Sequence, residues 1–505
     1  MPPMSRSGQR YQRSSMPATR RPAIARSLGQ AERAWPFAVA TVLLAGCYLL
    51  GGASRADVPQ LLVLRPLAIG LAAVTLMFAP RLDGRGVRGP AILLGAMALL
   101  VAAQLVPLPW AIWTALPGRA DAVAAMRLIH RDGDWHALSL MPDQTINALL
   151  SLMVPAAVTI VMAALPARGR ARLLPVLMIA VLVDLLLGFV QLLTGSSGAL
   201  RPFAVTNVTG AVGLFANRNH SAAMLAAGLP MTAAMAVAWT RAHRRRRLAV
   251  LALAAVTAFL LAFAILSIGS RAGLVLALIG GVFAGLILWP DLVEMTRGAG
   301  RWARRGLIVA PAVALAGLVV VAIIGARDES LRRLADPTLY ADARIQAAPT
   351  VMLMIGRLMP FGSGFGTFSG VYRGVEPSDV LSSQYLNHAH NDYLEILTDG
   401  GVAAGLCLLA FAWWLAGQLA AARRRSDAVD RPQALMATAI ILIALVASAF
   451  DYPMRTPVWM ALFTVAVIWL GDAASGASVK TGSAASDTHA SASVTDGRDR
   501  AGAVE

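Results

Sequence analysis

Lysine is almost missing from the 505 residues: Lys480 is the only one, although the formal net charge is +17. Charged residues make up 14% of the chain, hydrophobic residues 57%, and the mean hydropathy is +0.64. A soluble chain of this length contains a far larger charged fraction. The composition therefore excludes a soluble protein. It also argues against a nucleic-acid partner, because the arginines form short clusters between apolar runs, where membrane topology explains them.

Cysteine is also scarce. The chain has Cys47 and Cys407, which lie far apart, each inside an apolar run. This spacing predicts neither a disulfide framework nor a metal site, and both residues are interpreted as small core residues.

Long apolar runs dominate the sequence instead. Because a membrane-spanning helix needs about 20 mostly apolar residues, the chain is predicted to be an all-α, polytopic membrane protein of about twelve transmembrane helices. The membrane domain is placed at 35–472, between a disordered basic tail (1–34) and a disordered Ser-, Ala- and Thr-rich tail (473–505). The predicted spans are 36–52, 60–79, 90–106, 146–165, 173–193, 219–239, 248–268, 272–289, 307–325, 393–416, 433–450 and 457–471.

The arginine clusters predict the orientation. With the N-terminus inside, every loop on the cytoplasmic side is strongly basic, as the positive-inside rule requires. Both termini are then cytoplasmic, and the long segments 107–145 and 326–392 lie outside. The clusters contain Arg81, Arg85 and Arg88; Arg168, Arg170 and Arg172; Arg241 and Arg244 to Arg247; Arg297, Arg301, Arg304 and Arg305; and Arg423, Arg424, Arg425 and Arg431.

Five polar motifs fall on the predicted outer side of this topology. A random scatter of polar loops would distribute such motifs over both sides, so we expect them to form one site. The motifs are GLFANRNHSAAML (213–225), SIGSRAG (267–273), PFGSGFGTF (360–368), NHAHNDYLEILTDGG (387–401) and DYPMR (451–455).

His388 and His390 are the candidate proton-transfer groups, because histidine can gain or lose a proton near neutral pH. Two other interpretations stay open. The histidines can form a structural pair at a helix start, where Asn387 and Asn391 are possible N-caps. They can also bind a metal together with Asp392 and Glu395, although a His-x-His-x-Asp pattern by itself indicates a metal only weakly.

Three arginines lie at the outer mouths of predicted spans: Arg218, Arg271 and Arg455. An arginine near membrane depth is costly unless it is paired or solvated. The guanidinium group matches phosphate oxygens with two parallel hydrogen bonds, so an anion site is one interpretation. The other is an interfacial or ion-paired arginine, for example Arg455 with Asp451.

The glycine-rich motif 360–368 differs from a nucleotide-binding P-loop, which ends in Gly-Lys-Ser or Gly-Lys-Thr. It is interpreted as a flexible turn that lines the substrate site.

The order of these motifs resembles the O-antigen ligase and O-antigen polymerase family of bacterial inner membranes, over about 200–470. The resemblance rests on Phe-x-Asn-x-Asn, Ser-Arg-x-Gly, Gly-x-Gly-x-Gly-x-Phe, His-Asn-x-Tyr-Leu-Glu and Asp-x-Pro-x-Arg. The matching residues are Phe215, Asn217 and Asn219; Ser270, Arg271 and Gly273; Gly362, Gly364, Gly366 and Phe368; His390, Asn391, Tyr393, Leu394 and Glu395; Asp451, Pro453 and Arg455.

The resemblance implies a C-type glycosyltransferase-like fold with a large periplasmic loop. It implies glycan transfer from undecaprenyl diphosphate to a hydroxyl of a glycan, lipid A core or other acceptor at the periplasmic face. The essential histidine of the family maps to His390, whose ring is expected to be held by Asn391, Asp392 or Glu395. The diphosphate-binding arginines map to Arg218 and Arg271, then Arg455. A diphosphate is already a good leaving group, so no metal or other cofactor is expected.

One departure keeps ligase and polymerase both open: Gly401 is followed by Ala404 and Gly405, whereas ligases usually have a Gly-x-x-Gly-like pattern after the His-Asn motif. A transporter or flippase of lipid-linked glycan is the alternative. Transporters place ionisable groups at mid-membrane, and here Asp184, with Gln191 on the same predicted helix, is the mid-span candidate. The sequence assigns no role to Asp184.

Overall fold

The computed structural model describes residues 23–79, 81–195, 200–207, 210–297, 300, 341–378, 386–425 and 430–476. Within these ranges the chain is almost wholly helical, which confirms the all-α membrane fold. The helices are α1 Ala23–Leu50, α2 Leu61–Phe78, α3 Arg88–Ala103, α4 Trp110–Thr114, α5 Ala120–Leu128, α6 Pro142–Ser151, α7 Met153–Ala163, α8 Ala167–Ala171, α9 Leu174–Thr194, α10 Arg218–Ala242, α11 Arg247–Ile268, α12 Arg271–Met295, α13 Ala341–Leu358, α14 Phe368–Arg373, α15 Asp392–Arg425, α16 Arg431–Phe450 and α17 Pro457–Ser475. Strands β1 (Pro107–Leu108) and β2 (His136–Ala137) form a two-residue antiparallel ladder.

Nine helical stretches of the described chain are long and apolar enough to cross a membrane, and two shorter apolar helices lie at Ala34–Leu50 and Arg88–Ala103. Together they coincide with every predicted span except the one at 307–325, which lies outside the described residues. The pair α6–α7 forms one span and the pair α8–α9 another.

The predicted N-terminal tail is wrong in part, because α1 already begins at Ala23. Residues 23–34 contain Ala, Leu, Arg, Gln and Glu, which are good helix formers, and they continue directly into an apolar span. Residues 1–22 lie outside the described part of the chain. At the other end α17 extends to Ser475, past the predicted tail start at 473, and 477–505 are not described.

Helix α10 lies at the centre of the bundle and is almost entirely buried. Small residues allow its neighbours to approach. A Cβ added at Gly228 would lie 2.7 Å from Val181, and one added at Gly280 would lie 2.4 Å from the backbone oxygen of Ala226. Small residues at helix interfaces are the usual means of close packing in membranes. The close packing fixes where the first turn of α10 lies.

Helices α10, α12, α15 and α17 begin, and α11 and α16 end, at one end of the bundle, which we call the site end. Helix α15 is kinked there: Gly401 has φ 59° and ψ −146°, so residues 392–400 form a short first segment. Of the predicted large loop 326–392, residues 341–378 and 386–392 are described, and they contain α13 and α14. The arginine clusters described at the other ends of α10, α15 and α16 lie away from the site end.

Candidate active site

Asp451 is the centre of a hydrogen-bonded network at the site end. It directly follows α16, and its side chain is 3% exposed. Its Oδ1 lies 3.2 Å from Nδ1 of His390, and its Oδ2 accepts hydrogen bonds from the Nδ2 groups of Asn217 (3.1 Å) and Asn219 (2.6 Å). Three polar motifs that are far apart in sequence therefore meet at one carboxylate.

The N-termini of α10 and α12 belong to the same network. Asn217 caps α10 by accepting a hydrogen bond from the N–H of Asn219, and Ser270 caps α12 by accepting one from the N–H of Gly273. Ser270 also donates to Oδ1 of Asn219 at 2.8 Å. Asn and Ser are favoured N-caps because their side chains satisfy the unpaired backbone donors. The same side chains thus start the helices and join them to the site.

His390 has an unusual backbone conformation with φ 52°, a region that residues other than glycine seldom occupy. Its side chain remains 21% exposed, and Nδ1 points to Asp451. A carboxylate that accepts a hydrogen bond from Nδ1 fixes the tautomer with the lone pair on Nε2. The arrangement allows Nε2 to accept a proton while Asp451 stabilises the resulting imidazolium.

The expectation that a neighbour in sequence holds the His390 ring is wrong, because the partner is Asp451. Asn391 instead caps α15: its Oδ1 accepts hydrogen bonds from the N–H groups of Tyr393 and Leu394. Its Nδ2 donates to a carbonyl near the end of α16, and the hydroxyl of Tyr393 donates to another carbonyl of α16. Asn391 and Tyr393 therefore fix the start of α15 against α16.

Asp392 and Glu395 contact Arg455 and His388 rather than His390. Arg455 lies 3.1 Å from Asp392, 3.3 Å from Glu395 and 4.0 Å from Asp399. The three carboxylates share one helical face because they are spaced i, i+3 and i+7. Glu395 also lies 2.8 Å from Nδ1 of His388. The structure thus directs the two histidines to different carboxylates.

Arg455 is ion-paired, as one of the two interpretations from sequence expected, but its partners are not the example partner Asp451. Asp451 contacts His390, the two asparagines and the N–H of Tyr452, and Arg455 is surrounded by the three carboxylates of α15. Burial alone would lower the pKa of Arg455, but the three negative charges prevail and raise it above its ordinary value. Arg455 therefore stays charged, and its ion pairs compete with any phosphate for the guanidinium.

Tyr452 packs among three histidine rings. Its ring centroid lies 4.4 Å from that of His388, 4.9 Å from that of His390 and 5.2 Å from that of His220. His220 is buried, with Nε2 3.9 Å from Oδ1 of Asp451. The contact with Tyr452 restricts the movement of the His390 ring.

Two cavities meet at Arg455. The polar one has a volume of about 120 Å³ and is bordered by Arg55, Arg65, Asn147 and His388. The apolar one, about 370 Å³, extends between α3, α7, α15 and α17. Both are also lined by Ala148, Ser151 and Met460. The two cavities together offer an apolar chamber in the membrane next to a polar chamber at the site end.

The glycine-rich turn is tightly held, so the prediction of a flexible turn is wrong. The N–H of Gly366 donates to Oδ2 of Asp399, and the side chain of Gln104 accepts from the N–H of Phe365 and donates to the Asp399 carbonyl. Gly362 has φ 76°, and a Cβ there would lie 2.4 Å from the oxygen of Asp399. Positive φ and close backbone approach explain these glycines. Gly366 nevertheless lines the polar cavity, as a substrate-lining turn would.

Arg218 and Arg271 are the first residues of α10 and α12. Arg218 is half-buried, whereas Arg271 is exposed. Arg218 directly precedes Asn219, and Arg271 directly follows Ser270. The side chains of Asn219 and Ser270 are hydrogen-bonded to each other. Two positive helix ends with an arginine each therefore lie side by side, an arrangement that favours an anion. Neither arginine lines the two cavities.

Sequence reasoning missed three residues of the site: Asp399, Tyr452 and His220. The spacing Asp392, Glu395 and Asp399 was a detectable signal, since it places three acids on one helical face. Tyr452 and His220 had no such signal, because their positions depend on the packing of α10 against α16 and α17.

Comparison with protein families supports the resemblance drawn from the motifs. Residues 256–409, less than half of the chain, match the family model described as O-antigen ligase. No curated protein matches the chain. The matched segment contains Ser270, the glycine-rich turn and His390, while Asn217, Asn219 and Asp451 lie outside it. The structure joins the two groups in one network.

Proposed function

We propose that the chain transfers a glycan from undecaprenyl diphosphate to an acceptor hydroxyl at the periplasmic face of the bacterial inner membrane, because residues 256–409 match the O-antigen ligase family model. The His390–Asp451 pair is the observation that supports this most directly. It provides a proton acceptor, oriented by a buried carboxylate, at the end of a transmembrane bundle. The arginine distribution supports cytoplasmic termini, and hence a periplasmic site end.

The acceptor hydroxyl approaches Nε2 of His390. As its oxygen attacks the anomeric carbon of the donor sugar, the bond between that carbon and the phosphate oxygen breaks. The hydroxyl proton passes to Nε2, and undecaprenyl diphosphate leaves with the bonding electrons. Asp451 stabilises the imidazolium, and the Asn217 and Asn219 amides keep Asp451 in place. Such general base catalysis contributes about 10² to 10⁴-fold in rate.

The leaving diphosphate binds at the adjoining N-termini of α10 and α12. The positive ends of the helix dipoles attract the phosphates, and Arg218 and Arg271 add charge-assisted hydrogen bonds. Arg455 is a weaker candidate for this contact, because three carboxylates already surround it. Its ion pairs with Asp392 and with Glu395, the partner of His388, favour a role in keeping α15 and His388 in place.

The paired cavities support a lipid-linked substrate. The apolar chain of a lipid-linked acceptor fits the chamber between α3, α7, α15 and α17, and its polar head fits beside Arg55, Arg65 and Asn147, apart from the donor diphosphate at α10 and α12. A soluble acceptor would have no use for the apolar chamber. The transporter alternative depended on Asp184 as a mid-membrane ionisable group, and that carboxylate is hydrogen-bonded to backbone and serine instead.

The test uses a deletion strain complemented with wild type, His390→Ala or His388→Ala at matched membrane levels. We expect His390→Ala to reduce glycan transfer at least about a hundredfold, as loss of a general base does, and His388→Ala to be milder. Near-normal transfer by His390→Ala would refute the proposal. In the same strain, loss of chain length indicates a polymerase, and lipid-linked polymer with bare lipid A core indicates a ligase.

The diphosphate site is tested with purified protein and undecaprenyl diphosphate-linked donor. Arg271→Lys keeps the charge but loses the two parallel hydrogen bonds, and we expect it to be about thirty- to a thousand-fold slower, with Arg271→Ala slower still. Arg127→Lys, at an exposed arginine of α5, is the control. Full activity of Arg271→Lys would exclude recognition by paired hydrogen bonds.

A further inference from the structure

Helix α9 contains two buried polar side chains, Asp184 and Gln191, which are 1% and 2% exposed. They are spaced i, i+7, so both lie on the same face of the helix. That face meets the irregular segment 210–216, which leads into α10.

Asp184 connects the two sides of the N-cap of α10. Its Oδ1 accepts a hydrogen bond from the N–H of Leu214 at 2.7 Å, and its Oδ2 accepts one from the hydroxyl of Ser221 at 2.9 Å. Gly213 passes so close that an added Cβ would overlap the Asp184 carboxylate. One carboxylate thus holds the chain both before and after Asn217 and Asn219.

Gln191 holds the preceding part of the segment. Its Oε1 accepts hydrogen bonds from the N–H groups of Val212 and Gly213, both at 2.9 Å. Its Nε2 donates to the carbonyls of Leu200 and Gly213. Irregular backbone inside a membrane protein must have its polar groups satisfied by protein. Asp184 and Gln191 supply those partners, since the segment has no regular helix or strand of its own.

We infer that Asp184 and Gln191 are positioning residues for the reaction: they hold the 210–216 segment so that Asn217 and Asn219 keep Asp451 oriented toward His390. This inference rests on the proposed function. The two amides bind Oδ2 of Asp451, while Oδ1 faces the His390 ring and accepts a hydrogen bond from the N–H of Tyr452. Displacement of the asparagines would leave Oδ2 without these two donors, so that Asp451 is held less firmly toward the His390 ring.

The variants Asp184→Ala and Gln191→Met are compared with Asp184→Asn in the purified transfer assay. We expect kcat to fall about tenfold to a hundredfold for the first two, with KM for the lipid-linked donor little changed, because misplacement of a reacting group acts mainly on the chemical step. Asp184→Asn should stay within a few-fold of wild type, since its amide can accept from Leu214 and donate to Ser221. The control is Thr232→Val, which removes a buried hydrogen bond of α10 away from Asp451.

A double-mutant cycle separates positioning from a general loss of stability. In an Asp451→Asn background, Asp184→Ala should reduce kcat little further, because the carboxylate whose orientation it protects has already been removed. Additive losses would refute the inference. So would an Asp184→Asn protein as inactive as Asp184→Ala, since the negative charge would then be the essential feature.

If Asp184→Ala and Gln191→Met fold poorly, the milder variant Ser221→Ala still tests the inference. Ser221→Ala removes a single hydrogen bond to Asp184, and we expect a several-fold lower kcat from it. An unchanged kcat for folded Ser221→Ala would contradict the inference. Failure of the proposed function is recognised separately, because His390→Ala would then match wild type whatever the α9 variants do.

Discussion

Two arginine-centred clusters lie at opposite ends of α17, and they are built differently. At the end away from the site, Arg170 is fully buried and donates to Oδ1 of Asp472 and to the carbonyls of Met162, Arg85 and Asp83. Most of these partners are neutral carbonyls, and the Asp83 carboxylate lies farther away at 3.6 Å. All three guanidinium nitrogens of Arg170 therefore donate hydrogen bonds to nearby oxygens.

At the site end, Arg455 has three carboxylates within 4.0 Å and no comparable set of carbonyls among the described residues. Its side chain is 18% exposed and forms part of two cavity walls. Because Arg170 is fully buried and lines neither of the two cavities at the site end, we assign its cluster a purely structural role. Three buried carboxylates gathered around one arginine beside a cavity are costly to maintain, and we attribute this arrangement to the proposed transfer site.

The largest expected effect is on the network next to Arg455. Asp451→Asn should reduce kcat about a hundredfold to ten-thousandfold, the range of general acid–base catalysis. An asparagine offers His390 an N–H or a neutral oxygen in place of a carboxylate, so it disfavours the imidazolium and admits the wrong tautomer. The measurement is turnover of lipid-linked donor by purified protein.

Asn391→Ala is the matched comparison for Asp451→Asn. Asn391 caps α15 next to His390 but does not contact the ring, so its loss should cost about 1 kcal/mol of helix stability and far less activity. Equal losses of kcat in the two variants would show that the network acts only by holding the helices together.

The second effect concerns folding. Arg170→Met should lower the free energy of unfolding by about 3 to 5 kcal/mol, because it leaves a buried carboxylate and several carbonyls without a donor. Thermal unfolding in detergent measures this, with the neighbouring exposed Arg168→Met as control. Turnover per folded molecule should stay normal. Reduced turnover by folded Arg170→Met would mean that the two clusters are coupled through α17.

Most of the helical architecture follows from sequence, because a membrane span needs only length and hydropathy. The described spans lie where the apolar runs predict them, while the extension of α1 back to Ala23 was missed because polar residues can also form helix. The polar motifs indicated the position of the site. They could not indicate which side chains of the site bond to each other, since His390 bonds to Asp451, 61 residues away, rather than to its sequence neighbours.

Asp184 shows the same limit. Its hydrogen bonds to Leu214 and Ser221 depend on how α9 packs against the start of α10. Hydropathy periodicity contains no information about that contact. By contrast, Asp399 could have been predicted, since its spacing from Asp392 and Glu395 places all three on one helical face.

The smallest effect tests the three carboxylates around Arg455. Glu395→Gln removes one of the three negative charges around Arg455, which relieves repulsion from Asp392 and Asp399, while an amide can keep only part of the contacts to His388 and the N–H of Ala389. We expect the free energy of unfolding to fall by about 1 to 3 kcal/mol, because Arg455 and His388 lose a charged partner, and turnover to fall about three- to tenfold through a less fixed His388. Thermal unfolding and kcat are measured in the same detergent. A loss of several kcal/mol with normal turnover per folded molecule would place the Arg455 cluster in the same structural class as the Arg170 cluster, and the contrast between the two ends of α17 would disappear.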